Sequence, residues 1–463
     1  MTFMAIKESQ NTADIQAILE DLVRMQKLFR EDRDAARAEM DPWLMFPHPS
    51  GNGMMMASKE AGRRVEKLAE RARASLKLER RVTLQNVKSA LKPELVKRFV
   101  TEGRDVSVSE ADKLLSWSAK AAKRDCKDRT FYLPVRFTFT SEPEHLQLGP
   151  VALMTREFAG RKLAPSMRSW LREGDPKNRR RGRRDHIQQA LEYYRNFKWV
   201  AEVTIHGCDE KTAETAAQKA VQSALDILHI ILSRRHTRKM RIGGPGLASD
   251  NQAGFVLVEG KGLTVSTSYG GFEEVGFADG WSAELKREDI AEMIRLAGIA
   301  LNCRADLTIS RPMSERYLDA AKWFGEAVRD PSMSSQAVKY VTAIERIVTA
   351  GKTEAIDETV AIRTADLLFH PEYSDLWEEH YSKARRAYKL RSDLVHGSIS
   401  PHDEGVAITL SDCGSIAEDL LIATLCRFGD HALQFEQISN KRYAAWFEAV
   451  RSQISSYFDG TVS

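Results

Sequence analysis

The 463-residue sequence lacks the paired cysteines that build a disulfide framework or a structural zinc site. Its five cysteines are scattered, without a CxxC or CxxH pair: Cys126, Cys208, Cys303, Cys413 and Cys426. Isolated cysteines are typical of a reducing compartment. No apolar run approaches the roughly 20 residues that span a bilayer, and the start, MTFMAIKESQ, has no apolar signal-peptide core. We therefore expect a cytoplasmic protein with no membrane segment.

Signatures of nucleotide and metal binding are missing as well. The glycine-rich stretch RIGGPGLAS (241–249) lacks the lysine and hydroxyl that complete a phosphate-binding loop, which favours an ordinary turn. Histidine and carboxylates gather in WEEHYS (377–382) and PHDEG (401–405), but the spacing defines no coordination set. We predict no cofactor and no metal. The net charge is only +4, so a nucleic-acid site would have to be a local patch.

Hydrophobic periodicity predicts an α+β protein of two to three domains. Residues 1–128 are predicted to be mostly helical, with a loop at 41–53, where three prolines and two glycines cluster. Residues 129–305 are predicted to form an α+β domain. Residues 306–463 are predicted to form an all-α helical domain.

Within residues 129–305, alternating apolar residues predict strands at 131–141 and 197–207 and a hairpin at 255–271. A long helix is predicted at 210–233. Beyond residue 287 the strand signal is limited to short stretches near 306–310 and 406–410. The fold class expected is therefore an α+β N-terminal and middle region followed by a helical bundle.

Two basic runs allow either of two interpretations. KNRRRGRRDH (177–186) places six cations in eight positions: Lys177, Arg179, Arg180, Arg181, Arg183 and Arg184. A run of this density is typical of a flexible solvated loop, and it also attracts a phosphate backbone. RRHTRKMR (234–241) adds five cations that can instead favour a helix C-terminus. RNA binding is predicted for the first run.

An arginine followed by a histidine five to seven residues later occurs in three regions: Arg179–Arg181 with His186, Arg363 with His370, and Arg391 with His396. The first lies in the predicted basic loop, and the second ends before a proline, where a helix breaks. The third lies in a strongly helical segment ending in Gly397, the residue type that stops helices in a left-handed conformation. On an ideal helix Arg391 and His396 are ~140° and ~7.5 Å apart, so they converge only if the last turn loosens. A cation at this end is also stabilising by itself, which leaves a helix stop and an active site both open.

The order of features from about 310 to 440 resembles the HEPN superfamily, and specifically the Apea-like HEPN domains of bacterial defence proteins. RYLDAAKWFGEAV (316–328) resembles the opening helix, and QAVKYVTAIERIV (336–348) carries an acidic Glu345 ahead of the motif. ETVAIRTADLLF (358–369) resembles the intermediate helix with its internal arginine. Tyr388, Arg391 and His396-Gly397 then match the tyrosine, the arginine and the HG ending of the family.

The resemblance implies a helical domain that dimerises with two motifs facing each other, and a metal-independent endoribonuclease without a cofactor. His396 would be the general base or acid, and Arg391 would stabilise the transition state. Glu345, Tyr388, Ser392 and Asp393 would support them, although many members have Asn, Asp or His in the Ser392 position. The expected partners are RNA, host tRNA among the candidates, a second copy of the chain, and a phage or stress trigger sensed by the N-terminal region.

Two other functions fit the same residues. A non-catalytic HEPN dimer would bind RNA through 177–184 or act as an assembly module, without cleaving. A purely structural helical domain would use the motif only as a helix stop, so that His396→Ala would change stability and nothing else. Cleavage assays and the position of His396 discriminate among the three.

Overall fold

The computed structural model describes residues 2–138, 140, 142–172, 177–243, 253–258, 262–267, 276–277, 280–351 and 355–458. The chain forms two compact units, residues 1–129 with 205–216, and residues 130–204 with 217–463. Helices dominate and small antiparallel sheets accompany them, which confirms the α+β class with a helical C-terminal region. The division into three domains at 128 and 305 stays a prediction.

The first unit is a helical core with one β-hairpin. In chain order its elements are α1 (Thr2–Glu31), α2 (Arg33–Glu39), β1 (Met40–Pro47), β2 (Met54–Ser58), α3 (Lys59–Ser75), α4 (Leu84–Leu95), a π-helical turn (Val96–Thr101) and α5 (Val108–Arg124). The core joins Ile15 and Ile18 of α1, Leu68 of α3 and Leu91 of α4. Serine or threonine hydroxyls cap the N-termini of α3, α4 and α5, because the first N–H groups of a helix have no partner inside it.

The loop predicted at 41–53 is wrong in its first half. Residues Met40–Pro47 form β1, which pairs antiparallel with β2. Proline lacks the N–H that a central strand needs, but both strands of a two-stranded hairpin are edge strands, where proline is tolerated. Leu44 and Phe46 alternate into the core of the unit, and this burial stabilises the extended conformation.

The chain then forms a five-stranded sheet, with two helices between its third and fourth strands in chain order. The elements are β3 (Lys127–Arg136), β4 (His145–Leu148), β5 (Val151–Thr155), α6 (Arg156–Arg172), α7 (Lys177–Tyr194), β6 (Trp199–Cys208), α8 (Glu210–Ile231), α9 (Arg234–Thr237), β7 (Arg241–Ile242), β8 (Ala253–Val258) and β9 (Gly262–Thr267). The strand order is β4-β5-β6-β3-β7, and β8 and β9 form a separate hairpin. Every residue of β5 is buried, as its unbroken apolar run requires.

These elements confirm the predicted strands, the long helix and the hairpin at 255–271. Gly260 and Lys261 of the Gly-Lys-Gly sequence and residues 244–249 of the glycine-rich stretch lie outside the described residues. The loop predicted for the basic run is wrong, because Lys177–Tyr194 is α7. Lysine and arginine are good helix formers, and the single Gly182 costs only about 1 kcal/mol.

The rest of the second unit is helical. Its elements are α10 (Trp281–Glu284), α11 (Glu288–Ala305), α12 (Pro312–Arg329), α13 (Met333–Val348), α14 (Ile356–Leu368), a 3-10 turn (Pro371–Tyr373), α15 (Leu376–Val395), α16 (Glu404–Leu433) and α17 (Asn440–Phe458). α13 packs against α12 and α16, and α14 packs against α15. In the described ranges, no helix combines the length and apolar character that crossing a membrane requires.

The two short strands predicted in this region are wrong. Residues 306–310 form a turn after α11, and residues 406–410 lie in the first turns of α16. The β-branched residues of VAITL suggested a strand, but Asp403 caps the helix by accepting the N–H of Gly405. Val406 is then buried within the helical bundle, so tertiary packing overrides the local propensity.

A buried polar network joins α8 to α12. Arg329 Nη1 donates to Asp226 Oδ1 at 2.7 Å and to His229 Nε2 at 2.9 Å. Thr237 donates its hydroxyl hydrogen to Ser233, so His229 Nδ1 must be the donor in its 2.8 Å bond to Thr237. Burial lowers the pKa of His229. Burial raises the pKa of Asp226 to about 6, although the positive charge of Arg329 opposes this rise. The network holds a neutral imidazole between two helices.

Candidate active site

The C-terminal end of α15 forms a complete Schellman motif. Gly397 has φ +72°, its N–H donates to Leu394 O at 3.3 Å, and the N–H of Ser398 donates to Asp393 O at 2.8 Å. His396 is the C-cap residue, and its own N–H donates to Ser392 O at 3.0 Å. The predicted left-handed stop at Gly397 is therefore confirmed, and it exposes His396 where the helix ends.

Glu345 and Arg391 meet although 46 residues separate them in the chain. Arg391 Nη2 donates to Glu345 Oε2 at 3.3 Å, and the two side chains are only 25% and 15% exposed. The Arg391 guanidinium lies 5.9 Å from the centre of the Tyr388 ring, one turn earlier on α15. Arg391 Nε is buried and has no hydrogen-bond partner among the residues that the structure describes. The guanidinium is thus held by one oxygen and keeps donor capacity for a further acceptor.

The protonation of this cluster is shaped by burial. Burial raises the pKa of Glu345, and the positive charge of Arg391 opposes that rise. Burial also raises the pKa of Tyr388, with Glu345 adding to the rise and Arg391 opposing it. Asp357, in the first turn of α14, acts on Tyr388 in the same direction as Glu345. Sequence reasoning missed Asp357, because nothing in the local pattern signals which helix start approaches α15.

Several side chains fix the end of α13, the helix that carries Glu345. Arg316 Nη1 donates to Arg346 O at 2.7 Å and to Thr349 O at 2.8 Å. Arg363 Nη1 donates to Val348 O at 2.8 Å. Cations at the last carbonyls neutralise the negative pole of the helix. Arg363, the internal arginine of the family resemblance, therefore supports the helix and forms no hydrogen bond with Arg391 or His396.

The remaining motif residues contribute differently. The imidazole of His396 is exposed and hydrogen-bonds to no residue that the structure describes. Ser392 and Asp393 supply the carbonyl oxygens of the helix stop, while their half-buried side chains take part in no hydrogen bond or ion pair among the described residues. The structure thus brings Glu345, Tyr388 and Arg391 together and leaves His396 at the open end of α15.

The two other arginine–histidine matches do not form comparable clusters. His370 lies after the end of α14, and its Nδ1 accepts the N–H of Glu372 at 3.2 Å, which makes it a turn residue. His186 is an exposed residue of α7. Within the described ranges, no three His, Cys, Asp or Glu side chains are grouped closely enough to hold a metal ion.

The predicted RNA-binding run lies on α7. Only two of its six side chains, Arg183 and Arg184, are among those the structure describes; those of Lys177, Arg179, Arg180 and Arg181 lie outside it. Arg183 Nη1 donates to Trp170 O of α6 at 2.6 Å, and its guanidinium lies 4.9 Å from the Trp170 ring centre. Arg184 is exposed.

Comparison of the chain with protein-family models, curated proteins and solved structures finds no match.

Proposed function

We propose that this chain is a HEPN-type endoribonuclease that cuts RNA by attack of the 2′-hydroxyl, without a metal ion, in an antiphage or toxin-like stress response. The observation that carries the proposal is the contact between Glu345 and Arg391 beside Tyr388, one and a half turns before an exposed histidine. The family resemblance places these residue types in this order, and a helix-stop function alone does not require a carboxylate from a distant helix.

The chemistry needs little from the protein, because RNA supplies its own nucleophile. His396 would take the proton of the 2′-hydroxyl as the 2′-oxygen bonds to the adjacent phosphorus. Arg391 would donate to the oxygens of the pentacoordinate phosphorane, where negative charge develops. The bond from phosphorus to the 5′-oxygen then breaks, and an imidazolium protonates that oxygen. The products are a 2′,3′-cyclic phosphate and a 5′-hydroxyl.

The second imidazolium would come from a second copy of the chain. In the proposed homodimer two motifs face each other, so one His396 acts as base and the other as acid. The exposure of His396 and of the neighbouring Val395, which is 53% exposed, is compatible with a partner at this end of α15. Glu345 takes only one donor of the partly exposed Arg391 guanidinium, so RNA bound between the two motifs would accept from the other Nη hydrogens.

Substitutions at the motif, with matched controls in the same segment, test the proposal. His396→Ala and Arg391→Ala should each lower the rate of RNA cleavage at least 100-fold, since each removes a group that acts in the transition state. His402→Ala and Arg385→Ala replace exposed residues of the same types nearby and should leave the rate unchanged. New 5′ ends mapped in total RNA should carry hydroxyl groups, and EDTA should not inhibit.

A non-catalytic RNA-binding or assembly dimer is the second candidate. The Glu345–Arg391 pair favours it in one respect, because a half-buried ion pair between α13 and α15 also serves as a structural tie. This candidate predicts RNA binding with no cleavage and no difference between His396→Ala and His402→Ala. Equal cleavage by wild type and His396→Ala would refute the ribonuclease proposal.

A further inference from the structure

The hairpin of α6 and α7 has almost no core of its own. In α6 the one buried residue is Ala159, and none of the described side chains of α7, 182–194, is buried. Globular helices of 17 and 18 residues normally bury a continuous apolar stripe. A hairpin this exposed presents most of its surface to solvent or to a partner.

Six apolar or aromatic residues of the hairpin share one surface, although Leu191 is still 44% exposed. They line a cavity of about 390 Å³ together with Val200 of β6: Ala159, Leu163 and Met167 from α6, and Ala190, Leu191 and Tyr194 from α7. Tyr194 anchors this side by donating its hydroxyl to Tyr132 O of β3 at 2.5 Å. The bond and ring contact between Arg183 and Trp170 join the two helices further out. Trp170 and Tyr193 remain 39% and 46% exposed, and the other exposed side chains of the hairpin are mainly polar or charged.

Cations form a stripe on the outer side of α6. Arg161, Arg168 and Arg172 are spaced by seven and four residues, which places them within ~40° of one another, on the side opposite the cavity residues. All three are exposed. Arg161 pairs with Glu144 at 3.2 Å, whereas Arg168 and Arg172 make no hydrogen bond or ion pair with any residue in the described part of the chain. Their charges are open to an external anion.

The charge of the protein is concentrated on this hairpin. Residues 156–195 contain twelve Lys and Arg against five Asp and Glu, a net charge of +7 in a chain whose total is +4. The remainder of the chain is thus slightly acidic. A single basic arm on such a body attracts polyanions locally rather than through the net field of the molecule.

The chemistry of the surface favours a nucleic acid over a lipid membrane. A helix that lies in a membrane interface inserts a continuous apolar face, whereas most apolar residues of this hairpin line the cavity beside Val200 and its exposed side chains are mainly polar or charged. A phosphate backbone needs only cations spaced along a surface, because binding is driven by counterion release. Phosphate contacts position an RNA without reading its sequence.

We propose that the α6–α7 hairpin is an RNA-holding arm, in which Arg168 and Arg172 of α6 act on phosphate groups together with Arg184 of α7. The proposal rests on the proposed function, because it assigns to this arm the grip on the RNA that Arg391 and His396 would cut. Phosphate contacts do not read the bases, so the arm would bind RNAs of many sequences equally. Any selectivity for a cleavage position would then come from other residues.

Binding can be measured on the Arg391→Ala/His396→Ala protein, which keeps the RNA intact. The probe is a fluorescent, mixed-sequence single-stranded RNA, titrated by anisotropy between 50 and 300 mM salt. Arg168→Ala/Arg172→Ala/Arg184→Ala should lower the slope of log Kd against log salt by about 2, since each phosphate contact contributes about 0.7. Replacing the same three arginines with lysine keeps the positive charges and should leave the slope of log Kd against log salt unchanged. Arg37→Ala/Arg63→Ala/Lys67→Ala, an equal loss of exposed charge outside the arm, should bind as the parent does.

An unchanged slope in the arm variant, or an equal loss in the control, would overturn the proposal. Arm-dependent binding to phosphatidylserine vesicles with arm-independent RNA binding would also overturn it, in favour of a membrane. If cleavage depends on His396 but the arm variant cleaves and binds RNA as the parent does, the proposal of an RNA-holding arm is refuted and the ribonuclease proposal stands. Arm-dependent RNA binding by a chain that never cleaves refutes the nuclease and supports the arm.

Discussion

Replacing Glu345 with glutamine leaves the Arg391 guanidinium, only 25% exposed, without its carboxylate partner. Exposed ion pairs contribute at most about 1 kcal/mol to stability, while removing one partner of a fully buried pair costs about 3–5 kcal/mol. With exposures of 15% and 25%, this pair lies between those limits. We expect a coupling free energy of about 1–2 kcal/mol between the two side chains.

A double-mutant cycle isolates that coupling. The unfolding free energies of wild type, Glu345→Gln, Arg391→Gln and the double variant are measured by urea denaturation at pH 8, where Glu345 is ionised. The two single changes should cost more in sum than the double change. Glu345→Asp, which keeps the charge and shortens the reach, should recover part of the coupling. A coupling below about 0.3 kcal/mol would show that the contact does not form in solution, because values that small are within the additivity of independent sites.

The pH dependence provides a second readout with a defined sign. Burial raises the pKa of Glu345, so this carboxyl stabilises the fold when protonated, and that contribution is lost as pH rises through its folded pKa. Arg391 opposes the rise, and its removal should raise the pKa further. The stability of the wild type relative to Glu345→Gln should therefore fall between pH 4 and pH 8, and it should fall further when position 391 is glutamine. An identical pH profile in both backgrounds would refute the assigned electrostatics.

Three further predictions test the fold that supports the site. Gly397→Ala should lower the free energy of unfolding by about 1 kcal/mol, because φ +72° strains any residue with a Cβ even though the space around it is open. Gly160→Ala is the control: this glycine lies within helix α6 with equally open space, so the change should raise the free energy of unfolding by about 0.5 kcal/mol. Chemical denaturation of the two variants compares these values. Arg329→Ala should cost about 3–5 kcal/mol, since it leaves the buried Asp226 unpaired; a loss under 1 kcal/mol would contradict the network. The pKa of Asp226, raised to about 6, predicts that wild type gains about 1 kcal/mol relative to Asp226→Asn as pH falls from 7.5 to 5, and a flat difference would contradict it.

Local signals predicted the parts of the fold whose cause is local. The glycine at 397 indicated a left-handed helix stop because a residue without a Cβ adopts that conformation at no steric cost. The alternation of apolar residues predicted β3 and β6, since side chains on a strand alternate between its faces. The failed predictions have two different causes. β1 is extended because Leu44 and Phe46 find a partner strand and a core elsewhere in the chain. α7 is helical because lysine and arginine are good helix formers, a local preference that the density of charge concealed.

Neighbouring residues were enough to predict where α15 ends and which residue types stand at that end, and the charge of the chain is visibly concentrated between 156 and 195. The contact of Glu345 with Arg391, the support of α13 by Arg363, and the position of Arg168 and Arg172 on the open side of a hairpin depend on tertiary packing. The difference lies in the range of the interactions. Helix stops and strand alternation arise from neighbouring residues, whereas an ion pair across 46 residues depends on how α13 and α15 pack.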